Sequence, residues 1–272
     1  MTKWKPKAIE NQTIVITGAS EGIGLATAKL AASRGANVVM NSLDAIALHR
    51  SVNEITSLGF KAIAIPGDIS DYEVILKIKA MALKEFGCID SWINTAALSV
   101  DGYLLKGNIE EERRMFDINF WGSRLTALVA IEAMGNLGGV IVNLANEVSV
   151  SMEPLKGIFS ASKAALKVLT DSMRSEIKAR KIPVEVCLVR PAATNKPELT
   201  AEVILKCLIN PKRDVFVGGP ARLSAVLDTF FPEVKDVMSE SRIREMGQAE
   251  IKINNKNKKI SFRNILTTNK DV

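Results

Sequence analysis

Histidine is almost absent from this chain, which excludes several kinds of active site. His49 is the only histidine among 272 residues, and it lies in a stretch with helical periodicity. A catalytic triad needs a histidine between a nucleophile and an acid, and a histidine-rich metal site needs several such ligands. We therefore interpret His49 as a surface residue, and we expect no metal centre.

Cysteine and long apolar runs are also scarce. The three cysteines, Cys88, Cys187 and Cys207, are odd in number and do not follow a metal-binding spacing. No apolar run reaches the roughly 18 residues that a membrane helix requires. The first twelve residues contain charges where a signal peptide would have its apolar segment. These features together predict a cytoplasmic protein.

The positive charge is concentrated at the C-terminal end. The whole chain has a net charge of +6, and residues 242–272 contain eight Lys or Arg against three acids. The sequence therefore predicts one globular domain over residues 1–241 and a basic, flexible tail over residues 242–272. The tail is either a solvated extension or a contact for an anionic partner. The charge of the domain itself gives no argument for nucleic-acid or membrane binding.

Short apolar runs alternate with amphipathic stretches along the domain. Apolar runs such as TIVIT and VIVNL lack polar alternation, which indicates strands covered on both faces. This order predicts a single doubly wound α/β domain of the Rossmann type, with a parallel sheet of about seven strands and helices on both faces. The predicted strands are Thr13–Thr17, Asn37–Asn41, Lys61–Ile65, Ser91–Asn94, Gly139–Leu144, Val184–Val189 and Asp214–Val217.

A glycine-rich turn follows the first predicted strand and opens a helix. Gly18 permits a tight turn, Gly22 lets the backbone approach a pyrophosphate, and Gly24 lets the helix pack close to the strand. The N-terminus of the helix directs unpaired N–H groups and a positive dipole at the phosphates. The context of strand, turn and helix makes this a specific signal for a bound dinucleotide.

Further motifs follow at later strand ends. Asp68-Ile69 follows the third strand, Asn94-Thr95-Ala96-Ala97 follows the fourth, and Pro191-Ala192-Ala193-Thr194 follows the sixth. Between residues 11 and 217 the chain thereby resembles the short-chain dehydrogenase/reductase family. The resemblance departs from the usual family pattern at Ala97, since the family has a glycine there. Ala192 also replaces a common glycine.

The resemblance implies a nicotinamide dinucleotide as cofactor and assigns residues to it. The glycine turn would hold the pyrophosphate, Asp68 would accept a hydrogen bond from the adenine amino group, and Pro191 and Thr194 would flank the nicotinamide. A helix cap is an alternative interpretation of Asp68. The implied cofactor-binding residues are Gly18, Ser20, Gly22, Ile23, Gly24, Ser42, Asp68, Ile69, Asn94, Ala96, Lys163, Pro191 and Thr194.

The sequence leaves NAD and NADP open but favours NAD. A 2′-phosphate needs a cation, and the segment from Asn41 to Asp44 after the second strand contains none. Glu21 adds a negative charge in the glycine turn. Asp44 stands about 20 residues beyond the glycines, the spacing of an acid that binds the ribose hydroxyls. Its alternative interpretation is a cap of the following helix.

The positions expected to perform the reaction are altered. In the family, a tyrosine exchanges a proton with the substrate, and a lysine four residues later lowers its pKa and binds the nicotinamide ribose. A serine thirteen residues before the tyrosine holds the substrate oxygen, and an asparagine on an earlier helix supports a water. Lys163 and Asn119 match this pattern, whereas Phe159 replaces the tyrosine and Asn146 replaces the serine.

Two functional hypotheses follow. One is an NAD(P)-dependent oxidoreductase of carbonyl or alcohol substrates with a weakened site, in which Asn146 still donates a hydrogen bond and Tyr103 or Lys163 is a candidate substitute for the missing acid. The other is a catalytically inactive dinucleotide-binding protein that acts as a sensor, scaffold or subunit. The resemblance also implies a homodimer through two long outer helices, predicted around Glu111–Met134 and Phe159–Ala179.

Overall fold

The computed structural model describes residues 4–145, 155–192 and 196–218. Asn146, Thr194 and the predicted tail over residues 242–272 lie outside the described residues, as does the end of the predicted domain. The described residues form one seven-stranded sheet, and all of its strand pairs are parallel. Its strands are β1 Thr13–Thr17, β2 Asn37–Ser42, β3 Ala62–Pro66, β4 Ser91–Asn94, β5 Gly139–Leu144, β6 Val184–Pro191 and β7 Asp214–Val217.

The strand order is β3-β2-β1-β4-β5-β6-β7, as in a doubly wound sheet. The chain therefore winds outward from β1 in one direction and then from β4 in the other. The helices are α1 Gly22–Ser33, α2 Ala45–Ser57, α3 Tyr72–Phe86, α4 Ile109–Phe116, α5 Ser123–Met134, α6 Gly157–Ala179 and α7 Pro197–Ile209. No described helix combines the length and the apolar composition needed to cross a bilayer.

Two apolar cores lie on the opposite faces of the sheet. Ile14 and Ile16 of β1 pack with residues of α1, α2 and α7, whereas Val15 packs on the other face with residues of α3, α5 and α6. Successive strand residues point to opposite faces, so a strand that is apolar throughout supplies both cores. This arrangement confirms the predicted fold class and the uninterrupted apolar strands from which it was inferred.

Several element boundaries differ from the sequence prediction. β2 and β6 continue to Ser42 and Pro191, beyond their predicted ends, and β3 begins at Ala62 rather than Lys61. These extensions add ladder pairs at the carboxyl ends of the strands, including Ser42 with Pro66 and Pro191 with Val217. Pairing with neighbouring strands therefore sets where these strands end, and the local sequence did not predict it.

The long helix predicted around Glu111–Met134 is interrupted by a π-helical turn. This turn spans Asp117–Gly122 and joins α4 to α5 without leaving the helical path. A π turn inserts an extra residue and shifts the side chains that follow it around the axis, and such turns occur often at functional sites. Asn119, one of the predicted site residues, lies within it.

Candidate functional site

A cleft of about 720 Å³ opens at the edge of the sheet formed by the carboxyl ends of the strands. It lies beside the point between β1 and β4 where the winding direction reverses, which is where ligands bind in sheets of this kind. Its size is that of a ligand pocket. Residues at the ends of six strands and the start of α6 line it, and among them are Gly18, Ser42, Asp68, Ala96, Leu144, Phe159, Lys163 and Pro191.

The glycine turn forms a cradle with open space at its centre. Gly18 and Gly22 have φ values of +65° and +54°, which residues with a side chain rarely adopt. A Cβ on Gly18 would lie 2.6 Å from the Cα atom of Ala96, whereas no described atom lies within 4 Å of a Cβ on Gly22. Gly22 is also the first residue of α1, so its open side faces the end of the helix that attracts anions.

The start of α1 is left uncapped by the residue that precedes it. Glu21 stands at the N-cap, and within the described residues its side chain accepts no hydrogen bond from the first turn. The first N–H groups of a helix have no partner inside the helix and need one from outside. The cradle therefore fits a pyrophosphate, and Ile23 and Gly24 line the same part of the cleft.

Hydroxyl and carboxylate groups line the part of the cleft near the end of β2. Ser20 and Ser42 are joined by a hydrogen bond of 2.8 Å between their hydroxyls, which links the glycine turn to β2. Asp44 accepts a hydrogen bond of 2.9 Å from the backbone N–H of Ala47, so it caps α2 and also lines the cleft. Glu21, Asp44 and Asp68 supply three carboxylates to the lining, and Lys163 is the one cation among the described lining residues.

Asp68 is held within a turn after β3. Its Oδ1 atom accepts hydrogen bonds from the backbone N–H of Ser70 and from the Ser70 hydroxyl, at 2.9 and 2.8 Å. Arg114 of α4 forms an ion pair with the other carboxylate oxygen. The alternative interpretation of Asp68 as the cap of α3 is wrong, because Asp71 accepts the capping bond from the backbone N–H of Glu73.

Asn94 has a partner at each end of its side-chain amide. Its Nδ2 atom donates to Asn143 on the neighbouring strand β5 at 2.9 Å, and its Oδ1 atom accepts from Thr126 of α5 at 2.8 Å. The side chain is buried and is absent from the described lining of the cleft. The structure thus gives the Asn94 side chain a role within the fold, while Ala96 and Ala97 border the cleft.

Lys163 and Phe159 lie side by side at the inner end of the cleft. The Lys163 ammonium is buried, donates a hydrogen bond of 3.0 Å to the carbonyl of Leu144, and lies 5.8 Å from the centroid of the Phe159 ring. Burial away from water lowers the pKa of Lys163 from its usual 10.5 to about 8, because the charged form loses hydration. The described residues thus place a cation, and no phenol, at this end.

Asn119 has its side chain engaged by two segments of the fold. Its Oδ1 atom accepts from the backbone N–H of Leu98, and its Nδ2 atom donates to the Leu98 carbonyl and to the Ser162 hydroxyl. The π turn places this amide between the loop after β4 and the start of α6. Asn119 therefore joins the loop after β4 to the start of α6, and both segments line the cleft.

The remaining predicted site residues divide between inside and outside the cleft. Pro191 and Ile69 line it, and Ala192 lies beside Pro191. Tyr103, a candidate substitute acid, is absent from the described lining, and its ring lies 5.9 Å from the Lys106 ammonium. Its loop nevertheless reaches the segment before α6, because the backbone N–H of Gly102 donates to the carbonyl of Leu155 at 2.8 Å.

Comparison with known proteins identifies the family. A family model described as short chain dehydrogenase matches residues 12–206, which is most of the chain. The chain belongs to this family. The uncharacterized oxidoreductase YxnA of Bacillus subtilis is 32% identical over 274 residues, covering 92% of this chain and 77% of the relative. The 3beta-hydroxysteroid dehydrogenase 1 of Eggerthella lenta is 31% identical, covering 70% of this chain and 73% of the relative.

Solved structures of short-chain dehydrogenases share the fold. A short chain dehydrogenase/reductase from Burkholderia phymatum, in complex with NAD, has a TM-score of 0.78 at 20% identity and covers 86% of this chain and 97% of its own. An alcohol dehydrogenase from the archaeon Thermococcus sibiricus, complexed with 5-hydroxy-NADP, has a TM-score of 0.69 at 23% identity, covering 75% and 95%. The family membership confirms the resemblance drawn from the sequence.

Three residues of this short-chain dehydrogenase site escaped the sequence analysis. Arg114 reaches the Asp68 turn from α4, Thr95 donates its hydroxyl to the carbonyl of Thr17, and Ser162 bonds Asn119. Arg114 and Ser162 act over 46 and 43 residues of sequence, so no local pattern reveals them. Thr95 follows a strand end directly, and that position was the available signal.

Proposed function

We propose that this chain binds NAD(H) in the cleft and is an oxidoreductase of carbonyl or alcohol substrates whose proton-donating site is weakened. Membership of a family of NAD(P)-dependent oxidoreductases supports the reaction class, and the uncapped glycine cradle supports the dinucleotide. The pairing of Phe159 with Lys163 carries the proposal. The lysine expected to bind the cofactor is present, whereas the residue beside it has no proton to donate.

The cofactor assignment follows from the donors and charges of the cleft. The glycine turn and the first N–H groups of α1 would hold the pyrophosphate. Lys163 lines the same cleft and would bind the nicotinamide ribose. Glu21, Asp44 and Asp68 line the cleft. Arg114 pairs with Asp68, and no cation among the described lining residues offsets Glu21 and Asp44. This balance disfavours a 2′-phosphate and supports NAD over NADP. When bound, the nicotinamide supplies or accepts the hydride.

Donation of a proton to the substrate oxygen is the step that we expect this chain to perform slowly. Phenylalanine has no exchangeable proton, so Phe159 cannot act as the acid. Asn146, outside the described residues, is the proposed donor of a hydrogen bond that polarises the substrate carbonyl. The loss of a positioned general acid typically lowers a rate by ~10²–10⁴, or about 3–5 kcal/mol of barrier. We expect slow turnover of ordinary ketones.

A dinucleotide-binding protein without turnover is the second candidate. The same two residues favour it, because Lys163 donates a hydrogen bond to Leu144 within the fold and Phe159 gives it no partner for acid catalysis. Such a protein would report or respond to the nicotinamide pool as a sensor, scaffold or subunit. Fold membership does not distinguish this candidate from an enzyme.

A titration followed by a turnover screen tests the proposal. NADH fluorescence should saturate in the micromolar range, with NADPH binding more weakly. A panel of ketones, aldehydes and alcohols at saturating cofactor should then show slow but protein-dependent conversion. No binding of either dinucleotide at millimolar concentration would refute the cofactor site. Binding without conversion of any compound would leave the second candidate in its place.

We further propose a homodimer through the outer surfaces of α4, α5 and α6. Trp121, Leu128 and Val168 lie on the outer helical surfaces with 48%, 47% and 63% of their surface exposed. Exposed apolar side chains gathered on neighbouring helices are typical of a surface that another chain covers. A self-complementary pairing about a two-fold axis buries the same side chains of both copies.

A further inference from the structure

The Asp68 carboxylate lies in a network of three side chains that joins the turn after β3 to α4. Ser70 donates its hydroxyl and its backbone N–H to Oδ1 of Asp68. Arg114 of α4 forms an ion pair with Oδ2 and donates a second hydrogen bond of 2.7 Å to the Ser70 hydroxyl. The Ser70 hydroxyl thus donates to the carboxylate and accepts from the guanidinium, which closes a ring of three side chains.

The network leaves one acceptor position of Asp68 unused. An ionised carboxylate has about four lone-pair positions, two on each oxygen. Ser70 fills two on Oδ1, and Arg114 fills one on Oδ2. Asp68 lines the cleft and its side chain is one-quarter exposed, so the remaining position on Oδ2 is accessible from the cleft. A single N–H donor satisfies it.

The backbone of the same turn is held by a second contact. Ile69 is buried, and its side chain lies so close to Gly122 of the π turn that a Cβ on Gly122 would come within 2.9 Å of it. The helical path from α4 to α5 therefore meets the turn twice, through the Arg114 guanidinium and through Gly122. Both contacts restrict the motion of the carboxylate, and a fixed acceptor selects its donor by position.

We propose that Arg114 and Ser70 are positioning residues that fix the Asp68 carboxylate as the acceptor for the amino group of an adenine ring. The inference rests on the proposed dinucleotide site and adds the device by which that site recognises the base. Arg114 orients Oδ2, and the hydroxyl and backbone N–H of Ser70 hold Oδ1. A base with a keto oxygen in place of the amino group would place that oxygen against the carboxylate.

The recognition of the adenine amino group can be measured by binding alone, with two dinucleotides that differ only at that group. Nicotinamide adenine dinucleotide and nicotinamide hypoxanthine dinucleotide are titrated against the full chain, and the ratio of the two dissociation constants is recorded. A hydrogen bond to a charged group corresponds to a preference of about tenfold or more for adenine in the wild type. We expect Arg114→Ala to reduce the preference to about twofold, with the loss confined to the adenine compound.

Matched variants separate positioning from stability. Arg113→Ala removes a neighbouring arginine of the same helix that pairs with Glu110 outside the network, and we expect it to keep the full preference. Arg114→Lys should recover part of the preference, because an ammonium reaches the carboxylate but lacks the fork that also binds Ser70. Ser70→Ala should also lower the preference, and it keeps the inference testable if Arg114→Ala lowers the melting temperature too far for titration.

Three results would overturn the inference. An Arg114→Ala protein that melts normally and keeps the wild-type preference would show that Asp68 needs no support. A wild type that binds both dinucleotides equally would show that the base is not read at Asp68, with the proposed cofactor site intact. A wild type that binds neither dinucleotide would refute the proposed function and this inference with it.

Discussion

The Nζ atom of Lys163 lies 5.8 Å from the centroid of the Phe159 ring, one helical turn away on α6. An ammonium at this distance from an aromatic face gains a weak electrostatic attraction, which helps to hold the two side chains together. A phenol in place of the Phe159 ring would direct its hydroxyl into the cleft beside that cation. The described residues at this part of the cleft therefore offer a cation and no phenol.

Restoring the donor should raise the rate. In Phe159→Tyr combined with Asn146→Ser, a phenol is placed beside the Lys163 cation and a hydroxyl at the expected substrate oxygen. We expect a gain of at least ~10²-fold in kcat with a carbonyl substrate that both proteins bind, at saturating NADH. Stopped-flow or steady-state NADH consumption measures it. No gain with normal cofactor binding would show that the substrate pocket has itself diverged, with Ala97 and Ala192 as the next positions to test.

Tyr103→Phe is the control for a substitute acid. Tyr103 is absent from the described lining of the cleft, so we expect its hydroxyl to contribute nothing to the wild-type rate. The measurement is kcat of the wild type and of Tyr103→Phe under the same conditions. A wild type that turns over briskly and loses its activity in this variant would contradict the assignment and make Tyr103 the acid.

Lys163 should make the stability of the ligand-free protein depend on pH. Burial lowers the pKa of Lys163 to about 8 in the folded chain, whereas the unfolded chain holds the proton up to about 10.5. Between these values the unfolded state binds more protons, so the free energy of unfolding rises with pH across this window. This lowering of the Lys163 pKa corresponds to about 3 kcal/mol less free energy of unfolding, and the full loss is present below pH 8.

Removing this buried charge should stabilise the fold. Lys163→Met removes the destabilisation of about 3 kcal/mol but also loses the hydrogen bond to Leu144, which contributes about 1 kcal/mol. We therefore expect this variant to raise the free energy of unfolding at pH 7 by about 1–2 kcal/mol. Urea unfolding at pH 7 and pH 9.5 measures both the gain and the flatter pH dependence. Lys178→Met, an exposed change on the same helix, is the control. Equal pH profiles in all three proteins would show that Lys163 is hydrated.

Gly22 should be essential for the dinucleotide, and its substitution should strain the fold no more than the same change at Gly59, since both residues have a positive φ and open space. An aspartate there would place a carboxylate against the proposed pyrophosphate, so we expect Gly22→Asp to abolish NADH binding by fluorescence titration. Gly59→Asp is matched to it, because Gly59 also has a positive φ with open space around its Cβ position but lies outside the cleft. Equal NADH affinity of the two variants would contradict the position of the phosphates.

The proposed dimer depends on the exposed apolar side chains of the outer helices. We expect Val168→Glu to dissociate the dimer, because a charge buried in the interface without a partner destabilises it. Leu137→Glu is the control, since Leu137 is exposed at the end of the sheet opposite the cleft. Light scattering at tens of micromolar measures the mass of each protein. A wild type that is monomeric at this concentration would refute the proposed homodimer.

The sequence by itself determined the fold class and the position of the glycine turn, and it predicts the cofactor site and the altered reaction site. The glycine turn could be predicted because its function requires backbone conformations that only glycine adopts freely, and Gly18 and Gly22 show those conformations. Phe159 could be located because the family resemblance implies a tyrosine four residues before the lysine, and residues four apart lie on one face of a helix. Both signals are local, so they remain visible in the sequence.

The tertiary structure decided which side chains reach the cleft and what each one contacts. Asn94 lies at a strand end as its motif predicts, yet its amide bonds Asn143 and Thr126 inside the fold. Arg114 completes the Asp68 turn from a helix that begins far along the chain, and the π turn that presents Asn119 interrupts a helix of uniform pattern. Such contacts form between segments that packing brings together, and helical or strand periodicity contains no information about them.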